Sequence, residues 1–253
     1  MTQRLAALLW DVDGTLAETE LAGHLPAFNA AFADLALPWQ WDESTYLRLL
    51  AVSGGRERIA AWGLEQTGQP LERELLDRLV LRKRLHYGAR VRSGAVPLRP
   101  GVAALIEEAA AAGVSQAIVT TSGHAAVQDL IDGALGTLAK AFAFRVCGED
   151  VGAKKPDSEA YLLALERLAV PATAVLVLED SRHGLAAARG AGLPCLITLS
   201  RLARAEGLES FEGACAVVDG LAQEQGWVQV RQGPPCPSST VTLSYLQTLL
   251  PSP

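Results

Sequence analysis

The sequence is poor in several residue types, and each shortage removes a class of protein from consideration. It contains one methionine, four cysteines and only 6% aromatic residues among its 253 positions. The four cysteines are far apart and lack the spacing of a metal-binding motif or a disulfide-rich domain. They are Cys147, Cys195, Cys215 and Cys236. We therefore expect free thiols, those of Cys147 and Cys195 buried, in a reducing and hence cytoplasmic compartment.

Long hydrophobic runs and basic clusters are also missing. No segment reaches the roughly 20 apolar residues of a membrane-spanning helix, and no charged leader precedes the first apolar run. The net charge is −6 at pH 7, from 22 basic and 28 acidic side chains. These features argue against nucleic acid or a membrane as a partner and leave a small molecule as the expected ligand. We expect a monomer.

The composition that remains is that of a globular protein, and it follows two kinds of pattern. Hydrophobic residues make up 49% of the chain and charged residues 20%, which suffices for a full core. Apolar residues recur with helical spacing over residues 19–94, without a strand. From Val96 onward short apolar strands alternate with helices. The predicted fold is α/β: a Rossmann-like, doubly wound parallel-sheet core (1–17 and 96–253) with an inserted α-helical cap domain (18–95).

The predicted elements of the core follow from these apolar runs and from the glycines and prolines between them. Strands are predicted at 5–10, 116–120, 144–147, 174–178, 195–199 and 216–218, and helices at 101–112, 125–131, 158–169 and 181–191. The tail after Gly233 is rich in proline, and residues 241–250 are predicted as a closing strand or helix.

The first strand ends in two carboxylates, Asp11 and Asp13, separated by one residue. Two close carboxylates repel, so one loses its charge unless a cation keeps both ionised. Mg²⁺ suits that role because it prefers oxygen ligands and leaves positions open for water and phosphate. An ionised aspartate with an exposed oxygen is in turn a competent nucleophile toward phosphorus. Taken alone, Asp13-Gly14 between apolar runs is equally typical of a hairpin turn.

Three later segments carry polar groups at the corresponding edge of the predicted sheet. They are Thr120-Thr121-Ser122, Lys154-Lys155-Pro156 and Glu179-Asp180. Parallel strands end on one edge, so we expect these groups to converge with the first two carboxylates, in a set that suits phosphoryl transfer. Each has a simpler interpretation when taken singly: a strand threonine, a solvated lysine loop, and a helix N-cap pair. Two histidines at the same edge, His124 and His183, are expected to face solvent or to support the site rather than bind a metal.

In this order the motifs resemble those of the haloacid dehalogenase-like phosphohydrolase superfamily, over nearly the whole chain. The resemblance implies that Asp11 is the nucleophile and that Asp13 is the acid/base, whose backbone carbonyl also binds Mg²⁺. It implies that Thr120 binds the phosphoryl group, with Thr121 and Ser122 beside it on the substrate, and that Lys155 bridges phosphate and nucleophile. It further implies that Glu179 and Asp180 hold the metal, Asp180 in direct contact.

Other segments are similar to the CbbY-type branch of that superfamily. They are residues 11–20, Ala27-Phe28-Asn29, 53–59 and Ala153-Lys154-Lys155-Pro156. Members of this branch accompany Rubisco in the Calvin cycle and remove a phosphate from xylulose 1,5-bisphosphate, an inhibitory by-product of the carboxylase. The resemblance implies that Glu18, His24 and Arg56 line the substrate side.

Two positions depart from the pattern of this branch. Leu25-Pro26 follows His24 where an arginine is expected, which removes one substrate contact, and Ser158 replaces a proline, which affects only loop stiffness. Arg56 follows two glycines and could place a bidentate guanidinium on a second phosphate. On a helix start it could equally be a surface arginine.

The sequence thus predicts a Mg²⁺-dependent phosphatase acting on a sugar mono- or bisphosphate, most specifically xylulose 1,5-bisphosphate. A sugar phosphomutase shares every core motif and differs by returning the phosphoryl group to another hydroxyl. A catalytically silent sugar-phosphate-binding protein is the non-enzyme alternative, and the complete set of motif residues argues against it. Dehalogenase chemistry is disfavoured because Asp13 is present.

Overall fold

The computed structural model describes residues 4–52 and 54–251, which form two compact units. The first unit comprises residues 4–18, 98–124 and 135–251, and the second comprises residues 19–97 and 125–134. Residues 125–134 were predicted to belong to the Rossmann-like core domain. They belong to the second unit because Arg92 pairs with Asp129 at 2.6 Å and Gly133 packs against Val91.

The helices and strands are numbered here in chain order. The strands are β1 (Ala7–Trp10), β2 (Ser115–Val119), β3 (Phe142–Val146), β4 (Val175–Glu179), β5 (Cys195–Thr198), β6 (Ala216–Val218) and β7 (Val230–Gln232). The helices are α1 (Leu25–Asp34), α2 (Glu43–Leu49), α3 (Gly55–Thr67), α4 (Arg73–Arg92), α5 (Val102–Ala111), α6 (His124–Leu130), α7 (Glu159–Leu168), α8 (Arg182–Gly190) and α9 (Leu243–Thr248). Short π-helical and 3₁₀ turns join several of them.

The first unit is built on one sheet with the strand order β3-β2-β1-β4-β5-β6-β7. Strands β1 to β6 are parallel, and β7 pairs antiparallel with β6. The predicted doubly wound α/β fold is confirmed. Strand β1 lies between β2 and β4, so the strand order reverses at the strand that precedes Asp11. Ligands bind at such switch points in open α/β sheets.

The core of the first unit lies between the sheet and its helices. Strands β1, β4 and β5 are buried at every position, as expected for parallel strands covered on both faces. The indole of Trp10 donates a hydrogen bond to the side chain of Gln116 at 3.0 Å, which satisfies a polar group inside this core. Residues 241–250, which were predicted as a closing strand or helix, contain helix α9. Its N-cap Thr242 accepts a hydrogen bond from the backbone N–H of Tyr245.

The second unit is helical, as the apolar spacing predicted. Helices α1 to α4 enclose a cluster of buried side chains around Phe28, Trp41 and Tyr46. The side chain of Asn29 donates to the backbone carbonyl of Trp41 and accepts from its N–H, both at 2.8 Å, which fixes the loop between α1 and α2. Asp42 caps α2 by accepting from Thr45 N at 2.7 Å.

The cysteines agree with the expectation from the sequence. All four cysteines are free thiols, and Cys147, Cys195 and Cys236 are buried. Among the described residues, no helix has the length and apolar character needed to cross a membrane.

Candidate active site

Three central strands place the motif residues at one edge of the sheet. Trp10, the last residue of β1, is in register with Ile118 of β2 and with Leu178 of β4. The residues that follow these positions therefore emerge together, with Asp11 after β1 flanked by the ends of the two neighbouring strands. The sequence prediction rested on the convergence of the strand ends, and the register of β1 with β2 and β4 agrees with it.

Lys155 lies among these strand ends and uses all of its donors. Its Nζ donates to Asp11 Oδ1 at 2.8 Å, to Glu179 Oε1 at 2.6 Å and to the carbonyl of Val119 at 2.8 Å. The side chain is only 4% exposed, so these ion pairs are shielded from water. Burial opposes the charge, but Asp11 and Glu179 outweigh it and raise the pKa of the ammonium.

Glu179 is held by a full set of hydrogen bonds. Its Oε1 accepts from Lys155 and from the Tyr161 hydroxyl at 2.8 Å. Its Oε2 accepts from the backbone N–H groups of Asp180 at 3.2 Å and Ser181 at 3.4 Å. A side chain at Gly184 would collide with this carboxylate, so the first turn of α8 must approach it closely. With its oxygens so occupied, Glu179 fixes the position of the Lys155 ammonium.

The carboxylates form a site that suits a divalent cation. Oxygens of Asp11, Glu179 and Asp180 lie within 4.8 Å of one another, and all three residues are buried. Burial, reinforced by Glu179, raises the pKa of Asp11 to about 8, and burial with Asp11 raises that of Asp180 well above its usual range. The positive charge of Lys155 alone therefore does not compensate the negative charge of these three carboxylates. Such oxygen donors fit Mg²⁺.

This charge deficit predicts a pH-dependent response to Mg²⁺. Between pH 4 and pH 8 the metal-free folded protein retains a proton on Asp11 that the unfolded chain has released, since the pKa rises from 3.8 to about 8. The free energy of unfolding in EDTA should therefore fall as pH rises through this window. Mg²⁺ should raise the melting temperature by several degrees more at pH 8 than at pH 5. Thermal unfolding with and without Mg²⁺ measures this, and an equal shift at both pH values would contradict it. Asp11→Asn, which has no titratable group at this position, is the matched control and should weaken the dependence to the part that Asp180 contributes.

The predicted acid/base is placed beside the loop after β2. Asp13 Oδ2 accepts a hydrogen bond from the Ser122 hydroxyl at 2.6 Å. The Thr120 hydroxyl accepts from the backbone N–H of Ser122 at 3.0 Å, which fixes the loop, and Thr121 lies partly exposed between them. His124 begins α6, and its ring pairs with Asp150 at 2.9 Å.

The predicted substrate-side residues are divided between the units. Glu18 belongs to the first unit, where Arg99 Nε lies 3.2 Å from its carboxylate. His24 belongs to the second unit and is buried, with its ring stacked on Tyr87 at 4.2 Å and Nδ1 lying 3.0 Å from Lys83 Nζ.

Arg56 has an ion pair within the second unit. Its side chain is 43% exposed, and its guanidinium pairs with Asp77 at 2.6 Å. Arg73 approaches the other oxygen of Asp77 at 3.9 Å and is 93% exposed. A phosphate that binds Arg56, as the sequence predicts, would therefore have to replace Asp77 as its partner.

Three buried polar residues were not predicted from the sequence. Tyr161 was assigned to the apolar side of its helix, and Arg99 and Arg58 were not singled out. Arg58 is 8% exposed and donates to the carbonyl of Leu49 at 3.2 Å. The only available signal was an arginine next to Pro-Gly or inside an amphipathic helix, and that signal does not distinguish a buried guanidinium from a surface one.

The fold, with buried carboxylates at the switch point of a doubly wound sheet, is that of a hydrolase. The family model described as haloacid dehalogenase-like hydrolase matches residues 5–192, and the chain belongs to that family. Within the family it is a CbbY-like phosphatase. Protein CbbY of Cupriavidus necator is 43% identical over 222 residues, which cover 86% of each chain.

Two solved structures extend the comparison. A variant of CbbY from Rhodobacter sphaeroides, crystallised in complex with xylulose-(1,5)bisphosphate, matches with a TM-score of 0.79 and 40% identity. The match covers 85% of this chain and 94% of that one. A putative β-phosphoglucomutase from Thermotoga maritima matches with a TM-score of 0.64 and 27% identity, covering 84% and 93% of the two chains.

Proposed function

We propose that the protein is a Mg²⁺-dependent phosphatase that converts xylulose 1,5-bisphosphate to xylulose 5-phosphate through a phosphoaspartate at Asp11. The observation that carries this proposal is the buried pair of Asp11 and Lys155 at the switch point, with Asp180 beside it. The substrate is taken from the CbbY of Rhodobacter sphaeroides, whose structure contains that sugar bisphosphate.

In the proposed first step Asp11 attacks phosphorus. The bond from its carboxylate oxygen to phosphorus forms while the bond from phosphorus to the sugar oxygen breaks. Lys155 offsets the repulsion between the carboxylate and the phosphate oxygens, and Thr120 offers its hydroxyl to the phosphoryl group. Asp11, Asp180 and the backbone carbonyl of Asp13 would hold Mg²⁺. When bound, the ion supplies positive charge that keeps these acids ionised beside an anionic substrate.

Asp13 moves the protons in both steps. In the first step Asp13 gives its proton to the leaving sugar oxygen. In the second step it takes a proton from water, whose oxygen bonds to phosphorus while the bond between phosphorus and Asp11 breaks, and inorganic phosphate is released. The Ser122 hydroxyl, 2.6 Å from its carboxylate, holds Asp13 in one orientation.

The test is a phosphate-release screen of sugar mono- and bisphosphates with Mg²⁺, with Asp11→Asn as the background control. We expect the largest kcat/KM for xylulose 1,5-bisphosphate, and no release in EDTA. Ca²⁺ should inhibit, because it takes more ligands at longer distances than Mg²⁺ and so draws Asp11 away from phosphorus. Full activity in EDTA would contradict the metal dependence, and a larger kcat/KM for a monophosphate would contradict the substrate.

A phosphomutase is the second candidate, favoured by the similarity to a putative β-phosphoglucomutase. It would form the same phosphoaspartate and return the phosphoryl group to a different hydroxyl. The screen separates the two candidates, because a mutase produces an isomeric sugar phosphate without a matching amount of inorganic phosphate.

Arg56 provides a prediction about specificity. The core motifs hold only the phosphate that is transferred, so a separate cation must distinguish a bisphosphate from a monophosphate. A charge-assisted contact from Arg56 to the remaining phosphate contributes on the order of 1.5–3 kcal/mol, roughly ten- to a hundredfold. Arg56→Ala should therefore lower kcat/KM for xylulose 1,5-bisphosphate by about that factor and leave a small monophosphate nearly unchanged.

The control for Arg56 is its neighbour at the same carboxylate. Arg73 also approaches Asp77 but is 93% exposed, so Arg73→Ala should leave both substrates unaffected. An equal loss on both substrates in Arg56→Ala would assign Arg56 to general support of the fold. No loss on either would show it to be a surface arginine.

A further inference from the structure

A buried arginine outside the acidic cluster joins two loops of the first unit. Arg99 is 8% exposed, and its Nη1 donates to the carbonyls of Gly14 and of Thr198, the latter at 3.0 Å. Its Nη2 donates to the carbonyl of Leu199 at 2.7 Å. Its backbone N–H donates to the carbonyl of Leu16 at 2.9 Å. Arg99 thus ties the turn after β1 to the end of β5.

The turn held by Arg99 is the one that carries Asp13. Gly14 follows Asp13 directly and has a φ of +86°, a conformation that favours glycine. A side chain at Gly14 would collide with the carboxylate of Asp180, so this peptide lies against the candidate metal-binding residue. Its N–H donates to the carbonyl of Ala17 at 2.8 Å. The orientation of the Gly14 carbonyl therefore sets the position of the turn from which Asp13 projects.

The burial of Arg99 indicates a role beyond packing. Burial lowers the pKa of its guanidinium, and the neighbouring Glu18 offsets only part of that cost. Buried charges contribute little net stability compared with apolar side chains of similar volume. A guanidinium instead supplies donors in a rigid plane, which suits the task of holding several carbonyls in fixed directions.

We propose that Arg99 is a positioning residue that holds Asp13 where it can protonate the leaving sugar oxygen. The proposal rests on the proposed function. The proton passes from the Asp13 carboxyl to the bridging oxygen as the bond between phosphorus and that oxygen breaks. A sugar alkoxide needs this proton, whereas nitrophenolate and acetate leave as stable anions. Loss of Arg99 should therefore slow formation of the phosphoaspartate from sugar esters more than from activated esters, while a general structural defect slows both alike.

The experiment compares Arg99→Met and Arg99→Lys with the wild-type protein, at saturating Mg²⁺. The sugar substrate is xylulose 1,5-bisphosphate, and the activated substrate is p-nitrophenyl phosphate or acetyl phosphate, whichever the wild type turns over faster. Arg99→Met should lower kcat/KM for the sugar substrate by about 10²-fold and kcat/KM for the activated ester by less than about fivefold. The ratio kcat/KM covers the steps up to the phosphoaspartate, so the later water attack, in which Asp13 also takes part, does not enter the comparison. Arg99→Lys should recover part of the loss because it restores a donor, although not the planar pair.

Arg231 is the matched control. It is an arginine of the same unit that bonds both carboxylate oxygens of Asp219, at 2.8 and 2.7 Å. Arg231→Met should leave the ratio of the two activities at its wild-type value. Thermal unfolding identifies the folded variants, and Arg99→Lys decides the matter if Arg99→Met does not fold.

Each outcome bears on a different claim. Equal losses of kcat/KM on the two esters would contradict the role of Arg99 while leaving the proposed function intact. A wild-type protein that releases no phosphate from any of these esters would contradict the proposed function, and the role of Arg99 with it.

Discussion

Asp11→Asn should abolish turnover while leaving the protein folded. An amide cannot form the phosphoaspartate, and enzymes that lose their covalent nucleophile typically lose at least about 10⁴-fold in kcat. The variant should keep its fold, because the amide oxygen can still accept the hydrogen bond that Lys155 donates to Asp11 at 2.8 Å. Single-turnover phosphate release measures the loss, and equilibrium binding of the substrate shows that the site remains competent.

The control for Asp11 is a chemically identical change outside the site. Asp132 is exposed and accepts a hydrogen bond from Gln128 at 2.9 Å, so Asp132→Asn should release phosphate at the wild-type rate. Activity of Asp11→Asn within about tenfold of wild type would remove Asp11 from the nucleophile role.

Lys155→Met should cause the second largest loss, about 10²–10³-fold in kcat/KM, because it removes the buried cation between the nucleophile and the phosphate. Lys155 donates to both Asp11 and Glu179. Without it those carboxylates are uncompensated, so the assay requires saturating Mg²⁺ and a parallel unfolding curve. Lys154→Met is the matched control, because the two lysines are adjacent and Lys154 is less deeply buried. A larger loss in Lys154→Met than in Lys155→Met would overturn the assignment.

The sequence predicted the parts of this site that depend on strand order. Asp11, Thr120 and Asp180 follow short apolar runs, and a parallel sheet brings such positions to one edge whatever the details of packing. Lys155 was distinguished from Lys154 because a residue before proline is restricted to an extended backbone. These inferences need only chain order and local conformation.

The contacts that tertiary packing decides could not be predicted in the same way. Tyr161 fits an apolar helical stripe, and only the packing of α7 on the sheet brings its hydroxyl within 2.8 Å of Glu179. Arg99 precedes Pro-Gly, as a surface loop residue would, yet it bonds carbonyls 85 and 100 positions away in the chain. Residues 125–134 carry an ordinary helical pattern, and nothing in it shows which unit they join.

The boundaries of the strands show the same difference between features that the local sequence determines and features that depend on tertiary pairing. Strand β6 was predicted with the observed limits, Ala216–Val218, because Asp219 ends a short apolar run there. Strand β7, Val230–Gln232, was not predicted because it is short, partly polar and placed on an edge. Its pairing with β6 depends on a register that the sequence does not display.

The central claim is the hydrolysis of one phosphate ester of xylulose 1,5-bisphosphate, and a ³¹P NMR time course with Mg²⁺ tests it most directly. We expect the resonance of the 1-phosphate to disappear and the 5-phosphate resonance to persist as that of xylulose 5-phosphate. Inorganic phosphate should appear in an amount equal to the 1-phosphate lost. A spectrum that does not change, or one in which new ester resonances form without inorganic phosphate, would contradict it.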